Sequence, residues 1–204
     1  MVVTIARQFG SRGRDIGKLL AKKLSVDFYD RKLIELASQK SGISEEYFEK
    51  VDEKAGNSLL YALSIGASSA VSSDYGIVPN MPMNDKLYLL QYDIIKKAAT
   101  KPCVIVGRCA DHVLADRKDL VSVFICAEEE ARAIHVSAKY NVSYDKAKTM
   151  MRKNDKARAN YYNNYATGGW GTPEHYDLCL NSTKTGIEGA VEMILSYLRI
   201  RKLI

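Results

Sequence analysis

The sequence of 204 residues lacks the features that mark several large classes of protein. It has no hydrophobic run near the length of about 20 residues that a membrane helix requires. Its four cysteines include no CxxC pair, and its three histidines show no zinc-ligand spacing with them. The first nine residues contain no secretory signal, so we expect a cytoplasmic protein with reduced cysteines. Membrane-spanning, collagen-like, coiled-coil and largely disordered chains are excluded.

What is present is an ordinary globular composition with a basic excess. Hydrophobic residues make up 47% and charged residues 26% of the chain. Lys and Arg number 30 against 24 Asp and Glu, a formal net charge of +6. The length fits one domain, with at most a mobile insert. The charge favours anionic ligands such as nucleotides, phosphates or nucleic acid, although many proteins without such ligands are equally basic.

Short apolar runs alternate with helical patterns along the chain. The predicted strands are residues 2–6, 26–29, 103–106, 120–126 and 177–180, and the predicted helices include 32–40, 86–99, 128–139, 143–158 and a closing helix around 187–198. This order predicts an α/β fold with a mostly parallel sheet and helices on both faces. Ligands of such sheets bind beyond the carboxyl ends of the strands.

Residues 55–85 differ from the rest of the chain. They are rich in Ser, Gly, Ala and Asn and contain Pro79 and Pro82. We interpret them as a mobile insert with one helix near residues 58–69. The apolar part of this insert, residues 59–65, would allow contact with a second copy of the chain.

The turn after the first strand is the first candidate site. Its sequence is Arg7-Gln8-Phe9-Gly10-Ser11-Arg12-Gly13-Arg14-Asp15. Glycines let backbone amides close on an anion, and the following helix N-terminus adds positive potential. The regular phosphate-loop spacing GxxxxGK[ST] is not met, because Gly17-Lys18 lies inside the helix and precedes Leu19. The pattern predicts either a phosphate loop or a plain strand-to-helix turn.

An arginine follows the strand 103–106. Arg108 at this strand end suits planar contact with two phosphate oxygens. The alternative is a surface arginine that pairs with Asp111.

A third group lies near the end of the helix predicted at 143–158. Arg152, Asp155 and Arg158 are spaced by three and therefore share one helical face. The carboxylate could hold both guanidinium groups for a polyphosphate, or the three could form a solvated ion-pair face. The tyrosines and glycines that follow predict the hinge of a closing lid; they are Tyr161, Tyr162, Tyr165, Gly168, Gly169 and Gly171, around Trp170.

No nucleophile and base can be recognised from the sequence. Phosphoryl transfer needs no such pair, because the acceptor can itself be a phosphate anion and catalysis rests on positioning and charge stabilisation. Arginines around a glycine loop fit that chemistry.

With these residues assembled, the sequence resembles the cytidylate-kinase-like family, relatives of bacterial cytidylate kinase among the P-loop nucleoside monophosphate kinases. The similar stretches cover most of the chain and are ARQFGSRGRDIGKLLAKKL, FYDRKLIELA, LLQYDIIKKAA, CVIVGRCADHVL, RKNDKARANYY and YDLCLNS. The resemblance implies a P-loop NTPase-type three-layer sandwich with a five-stranded parallel sheet in a single domain, 1–204. It also implies a lid at 152–172, ATP with Mg²⁺ as donor, and CMP or dCMP as acceptor.

The resemblance also implies roles for individual residues. The donor-phosphate loop would comprise Gly10, Ser11, Arg12, Gly13, Arg14 and Asp15, with Arg7 beside it. Arg108 would bind the acceptor phosphate, and Arg152 and Arg158 would be lid arginines with Asp155 between them. Asp30, Gln91 and Asp111 are candidates for acceptor binding by position only.

The phosphate loop departs from that of true cytidylate kinases. Aligning the first helix puts Gly13 where the P-loop lysine stands and Asp15 where a Ser or Thr helps to hold magnesium. Arg14, Arg12 or Arg7 could replace the lysine. Asp15 could hold Mg²⁺, although a carboxylate also repels a triphosphate.

Three functions remain open. The first is ATP-dependent phosphorylation of a small phosphorylated acceptor, CMP or dCMP before others. The second is a nucleotide-binding sensor without turnover, which the missing lysine supports. The third, a nucleic-acid-binding module, is supported by net charge alone, and the spread of the arginines does not favour it. We therefore expect mononucleotide ligands and neither a nucleic-acid nor a membrane partner.

Overall fold

The computed structural model describes residues 1–30, 32–41 and 83–204, and these contain one five-stranded parallel sheet. Its strands are β1 (Val2–Arg7), β2 (Asp27–Tyr29), β3 (Cys103–Val106), β4 (Leu120–Cys126) and β5 (Leu178–Asn181). They lie in the order β2-β3-β1-β4-β5. The predicted parallel sheet is confirmed, with β2 and β5 each beginning one residue later than expected.

Helices connect the strands. In the described ranges they are α1 (Gly13–Leu24), α2 (Lys32–Ser41), α3 (Met83–Ala98), α4 (Ala110–Val113), α5 (Glu129–Tyr140), α6 (Tyr144–Tyr165) and α7 (Ser182–Ile200). A single 3₁₀ turn, Pro173–His175, precedes β5. None of these helices combines the length and the hydrophobicity needed to cross a bilayer.

Side chains of β3 show why the sheet is covered on both faces. All four residues of the strand are buried. Val104 and Val106 pack with residues of α1 and α7, whereas Cys103 and Ile105 pack with residues of α3 and α4. Because neighbouring residues of a strand point to opposite faces, a run of apolar residues requires a layer of helices on each side. The predicted three-layer α/β arrangement is confirmed.

Helix α1 approaches the sheet closely enough to fix where its N-terminus points. A Cβ at Gly17 would lie 2.9 Å from Cγ2 of Val106. Ile16 and Leu20 of the same helix are fully buried against the sheet. A Cβ at Gly13, the first residue of α1, would lie 2.7 Å from Cβ of Arg7, the last residue of β1, so the helix begins at the carboxyl end of that strand.

Two predicted boundaries were wrong. Helix α3 begins at Met83, so the last three residues of the predicted insert belong to a helix; the rest of the insert, with its predicted helix, lies outside the described residues. Helix α6 continues to Tyr165 instead of ending at Arg158. Tyr161 and Tyr162 are therefore helical, and their rings are buried in an aromatic cluster.

Candidate functional site

The loop between β1 and α1 is held rigidly. Gly10 has φ +83°, and a Cβ there would lie 2.8 Å from Cγ2 of Val136. Ser11 is fully buried, and its carbonyl accepts a hydrogen bond of 2.7 Å from Oγ of Ser182. Arg12 has φ 60° and forms the N-cap of α1. The loop is thus fixed by packing and hydrogen bonds, and it leads directly into the N-terminus of α1, where backbone N–H groups favour an anion.

Asp155 fastens α6 to this loop. Its Oδ1 accepts a hydrogen bond of 2.6 Å from the backbone N–H of Phe9, and its Oδ2 accepts one of 2.6 Å from Nη1 of Arg132. The same nitrogen of Arg132 donates to the carbonyl oxygen of Phe9 at 3.1 Å. We call Phe9, Arg132 and Asp155 the clasp.

The expected trio of Arg152, Asp155 and Arg158 is therefore only partly brought together. Arg152 is exposed and lines neither of the cavities described below. Its charge contributes to the lowered pKa of Glu129. Arg158 does face the site: its Nη1 donates to the carbonyl oxygen of Arg7 at 3.1 Å, and its guanidinium lies over the ring of Phe9. Helical spacing correctly placed the three residues on one side of the helix. That side is wide enough for the side chain of Arg152 to face solvent while Asp155 and Arg158 face the loop.

Two connected cavities lie at the carboxyl ends of the strands. The smaller, about 110 Å³, runs along the loop after β1 and is called the loop cavity. The larger, about 480 Å³, is called the main cleft. Side chains common to both walls mark where they meet: Arg7, Arg14, Lys139, Tyr140 and Arg158. Four of these five residues are cationic, so the junction favours an anionic ligand.

Arg108 lies in the main cleft on a strained stretch of backbone. Gly107, Arg108 and Cys109 have φ values of 80°, 64° and 51°. Left-handed backbone at non-glycine residues is costly and concentrates at functional sites. A Cβ at Gly107 would lie 2.1 Å from Nη1 of Arg7, so the absence of a side chain lets the guanidinium of Arg7 rest on the loop.

Asp30, at the end of β2, faces arginines of the junction. Its Oδ2 accepts a hydrogen bond from Nε of Arg14, and its Oδ1 lies 4.0 Å from Nη2 of Arg7. Its side chain is only 13% exposed. Asp30 lines the main cleft as expected, and its contacts orient two arginines.

The other two acceptor candidates have different positions. Asp111 lines the main cleft and accepts a hydrogen bond of 2.7 Å from the hydroxyl of Tyr162. Burial raises the pKa of this carboxyl above its ordinary value, and the bond from Tyr162 partly opposes that shift. Gln91 is buried and lines neither cavity; its Oε1 accepts a hydrogen bond of 3.1 Å from the hydroxyl of Tyr161. Gln91 therefore supports a wall of the cleft from behind.

Asp15 and Arg12 line the loop cavity, where they form an ion pair of 3.3 Å. Mg²⁺ in phosphate sites is commonly bound by one or two carboxylates together with the phosphates. Asp15 fits that pattern as a single protein ligand. The described residues contain no cluster of three metal-binding side chains.

Sequence reasoning missed the contribution of α5. Arg132, His135 and Lys139 lie at spacings of three and four on this helix, and all face the loop after β1. Burial lowers the pKa of His135, and the charges of Arg12 and Lys139 lower it further. The i, i+3, i+7 pattern of basic residues was a usable signal, because such residues share one helical face.

Solved structures share this fold. An uncharacterized protein from Eubacterium ventriosum is 26% identical over 98% of both chains, with a TM-score of 0.70. Shikimate kinase from Bacteroides thetaiotaomicron is 13% identical over 98% of both chains, with a TM-score of 0.56. Shikimate kinase from Acinetobacter baumannii, solved with shikimate, is 12% identical over 100% of this chain and 95% of its own, with a TM-score of 0.50. A comparison with curated proteins finds no match.

A family model gives the more specific result. The model of the cytidylate kinase-like family matches residues 2–184. That range includes every side chain of the loop cavity and the main cleft. The family is one of kinase-like proteins, which supports the use of a nucleotide. The chain belongs to the cytidylate kinase-like family.

Proposed function

We propose that this protein transfers a phosphoryl group from ATP to a nucleoside monophosphate, with CMP or dCMP as the first candidates. The observation that carries the proposal is the junction of the two cavities at Arg7, Arg14, Lys139 and Arg158. A donor in the loop cavity and an acceptor in the main cleft would meet there. Phosphoryl transfer depends on positioning and on stabilising charge spread over the phosphoryl oxygens.

Residues of the loop cavity would bind the donor. The backbone amides around Gly10 to Gly13 and the N-terminus of α1 suit phosphate oxygens. Mg²⁺, when bound, would neutralise phosphate charge, and Asp15 would hold it. Arg7 and Arg14, oriented by Asp30, would supply the positive charge of the P-loop lysine, which this chain lacks.

Residues of the main cleft would bind the acceptor. Arg108 faces the cleft from the end of β3, and a guanidinium binds two phosphate oxygens in one plane. Arg158 stands at the junction, where the charge of the transferring group develops. Its hydrogen bond to the carbonyl oxygen of Arg7 holds the guanidinium in position before the reaction starts, so little reorganisation is needed.

A coupled assay of ADP release with ATP and Mg²⁺ tests the proposal against CMP, dCMP, UMP, AMP and GMP. We expect turnover with the cytidine nucleotides. Arg108→Ala and Arg158→Ala should each lower the turnover number by about 10²- to 10³-fold, the range found when one charge stabiliser is removed. Arg152→Ala is the matched control, because Arg152 is on the same helix as Arg158 but outside both cavities.

Full activity of both Arg108→Ala and Arg158→Ala would contradict the assignment.

A second candidate, nucleotide binding without turnover, is favoured by the pairing of Arg12 with Asp15 and of Arg14 with Asp30. If these pairs persist with nucleotide bound, the phosphates receive less positive charge. Thermal stabilisation by ATP, with no ADP formed for any acceptor, would support this second function.

A further inference from the structure

Part of the lining that the main cleft does not share with the loop cavity is aromatic. Tyr161, Tyr162 and Trp170 line the main cleft but not the loop cavity, as does Arg108. Tyr161 and Tyr162 are 9% and 7% exposed, so they form a firm wall. The main cleft therefore combines the cations that it shares with the loop cavity with three aromatic side chains that it does not share, beside Asp30, Arg108 and Asp111. We call Tyr161, Tyr162 and Trp170 the aromatic wall.

Trp170 is held in place by the loop that carries it. Its ring meets that of Phe124 edge to face, with centroids 5.3 Å apart, and its backbone N–H donates to Oδ1 of Asn163 at 3.1 Å. Gly171 has φ +77°, and a Cβ there would lie 2.9 Å from Cζ of Phe124. Because Phe124 belongs to the central part of the sheet and is 5% exposed, the indole is fixed relative to the strands.

A chain of hydroxyl contacts connects the same loop to Asp111 in the wall of the main cleft. The backbone N–H of Gly171 donates to the hydroxyl oxygen of Tyr176 at 3.5 Å. The hydroxyls of Tyr176 and Tyr162 interact, and that of Tyr162 donates to Asp111. Trp170 and Asp111 thus form two parts of one ordered surface.

We propose that Trp170 is a specificity-determining residue, and that the aromatic wall of the main cleft selects an acceptor in which a sugar joins a planar aromatic ring to a phosphate. The inference rests on the proposed function, because it assigns the acceptor end of the same cleft. An aromatic side chain stacks on the π face of a base, a contact worth about 5- to 150-fold in affinity. The cyclohexene ring of shikimate is not aromatic and offers no such face.

Tryptophan fluorescence of the unmodified protein tests this directly, because Trp170 is the single tryptophan of the sequence. The probes are CMP, ribose 5-phosphate, shikimate and inorganic phosphate. We expect a saturable change of emission with CMP and none with ribose 5-phosphate, which has the sugar and phosphate without the ring, or with the other two probes. Equal saturable changes with CMP and ribose 5-phosphate would overturn the proposal.

Variants separate a binding role from a merely structural one. Trp170→Leu should raise the KM for CMP about tenfold or more and leave the KM for ATP within about twofold. Trp170→Phe retains an aromatic face and should rescue most of the loss. Tyr144→Leu is the control, an exposed aromatic on α6 outside both cavities. An unchanged KM for CMP in a folded Trp170→Leu protein would overturn the proposal, and if that variant does not fold, the titration of the unmodified protein decides.

The two levels of inference fail differently. If no nucleoside monophosphate is phosphorylated but CMP still changes the emission of Trp170, the proposed function fails and the ring-binding site stands. If CMP is phosphorylated while Trp170 neither changes its emission nor affects the KM, the specificity assignment alone fails.

Discussion

Gly107 lies where the carboxyl end of β3 meets the guanidinium of Arg7. Its backbone is left-handed, and the Cβ of any other residue would occupy the position of Nη1 of Arg7. Glycine is required here for two separate reasons, conformation and space. The position therefore links the stability of the loop to the placement of a junction arginine.

We expect Gly107→Ala to destabilise the protein by about 1–2 kcal/mol through backbone strain alone, and to lower turnover because Arg7 must move. Thermal unfolding and the ADP-release assay measure the two effects. Gly189→Ala is the control: Gly189 is inside α7, and an added Cβ would meet Cβ of Thr185 at an ordinary 3.5 Å. That substitution should be neutral or stabilise by up to about 1 kcal/mol. A Gly107→Ala protein as stable as the control would contradict the backbone strain, and unchanged turnover would contradict the packing described for Arg7.

His135 makes donor binding sensitive to pH. Burial and the charges of Arg12 and Lys139 lower its pKa, with Asp15 opposing, so the neutral ring is favoured in the empty protein. A polyphosphate in the loop cavity would favour the cationic ring, so the complex binds more protons than the empty protein. The affinity for ATP should therefore rise as the pH falls toward 6, up to about tenfold per unit of pKa change. The KM for ATP should be measured across pH for the unmodified protein and for His135→Gln. The ionisation of ATP affects both proteins equally and cancels in the ratio of the two KM values. A ratio that does not change with pH would contradict the expectation.

At the scale of elements, α5 and α6 hold the loop after β1 between them. The clasp connects the loop to both helices, and the side chains of Arg132 and Asp155 are only 11% and 18% exposed. A second ion pair joins the same two helices at the surface, Lys148 with Glu129 at 2.9 Å. The two pairs allow a comparison of buried and exposed contacts within one helix pair.

We expect Asp155→Asn to destabilise the protein by about 2–3 kcal/mol, because it leaves the charge of Arg132 without its partner at a largely buried site. It should also raise the KM for ATP more than that for the acceptor, since the backbone of Phe9 belongs to the donor loop. Glu129→Gln, which breaks the exposed pair, should leave the melting temperature unchanged. Equal effects of the two substitutions would show that the clasp is no stronger than a surface contact.

The elements were predictable to different degrees. The β-branched runs of β1 and β3 and the periodicity of α3 gave their positions within a few residues, because burial on a sheet or helix face leaves a periodic trace. The end of α6 was placed too early, since tyrosines beside glycines favour a loop and only tertiary burial of Tyr161 and Tyr162 extends the helix. Arg108 and Arg158 were placed at the site by strand and helix position. The pairing of Arg132 with Asp155 joins residues of two different helices, which no local pattern specifies.

On the scale of the whole molecule, the ion pair of Arg117 with Asp119 connects the helical layer that contains α3 to the sheet. Arg117 donates to both carboxylate oxygens of Asp119 at 2.9 and 2.8 Å, and its third donor reaches the carbonyl oxygen of Ala99 at 2.9 Å. The end of α3 is thereby fixed to the start of β4. Hydrogen bonds from Arg117 are the largest cause that lowers the pKa of Asp119 to about 2.

A lowered carboxyl pKa stabilises the folded state above the unfolded value near 4, and this stabilisation is lost as the pH falls toward 2. The Asp119 side chain is 35% exposed, so solvent screening reduces the effect to about 1 kcal/mol. Asp119→Asn should lose that amount at pH 7 and almost nothing near pH 2, as measured by denaturant unfolding at both values. A loss that is independent of pH would assign the effect to packing.

The order of the sheet has a consequence for how the protein is made. Strand β1 pairs with β3 and β4, and Val2 lies opposite Cys103 and Leu120. At a synthesis rate of roughly 5–20 residues per second, β3 is synthesised on the order of 10 seconds after β1. The cationic junction is completed later still, because Lys139 and Arg158 follow both partner strands. The nascent chain therefore spends that interval with an apolar central strand unpaired, and it is during translation that this protein should depend most on chaperones.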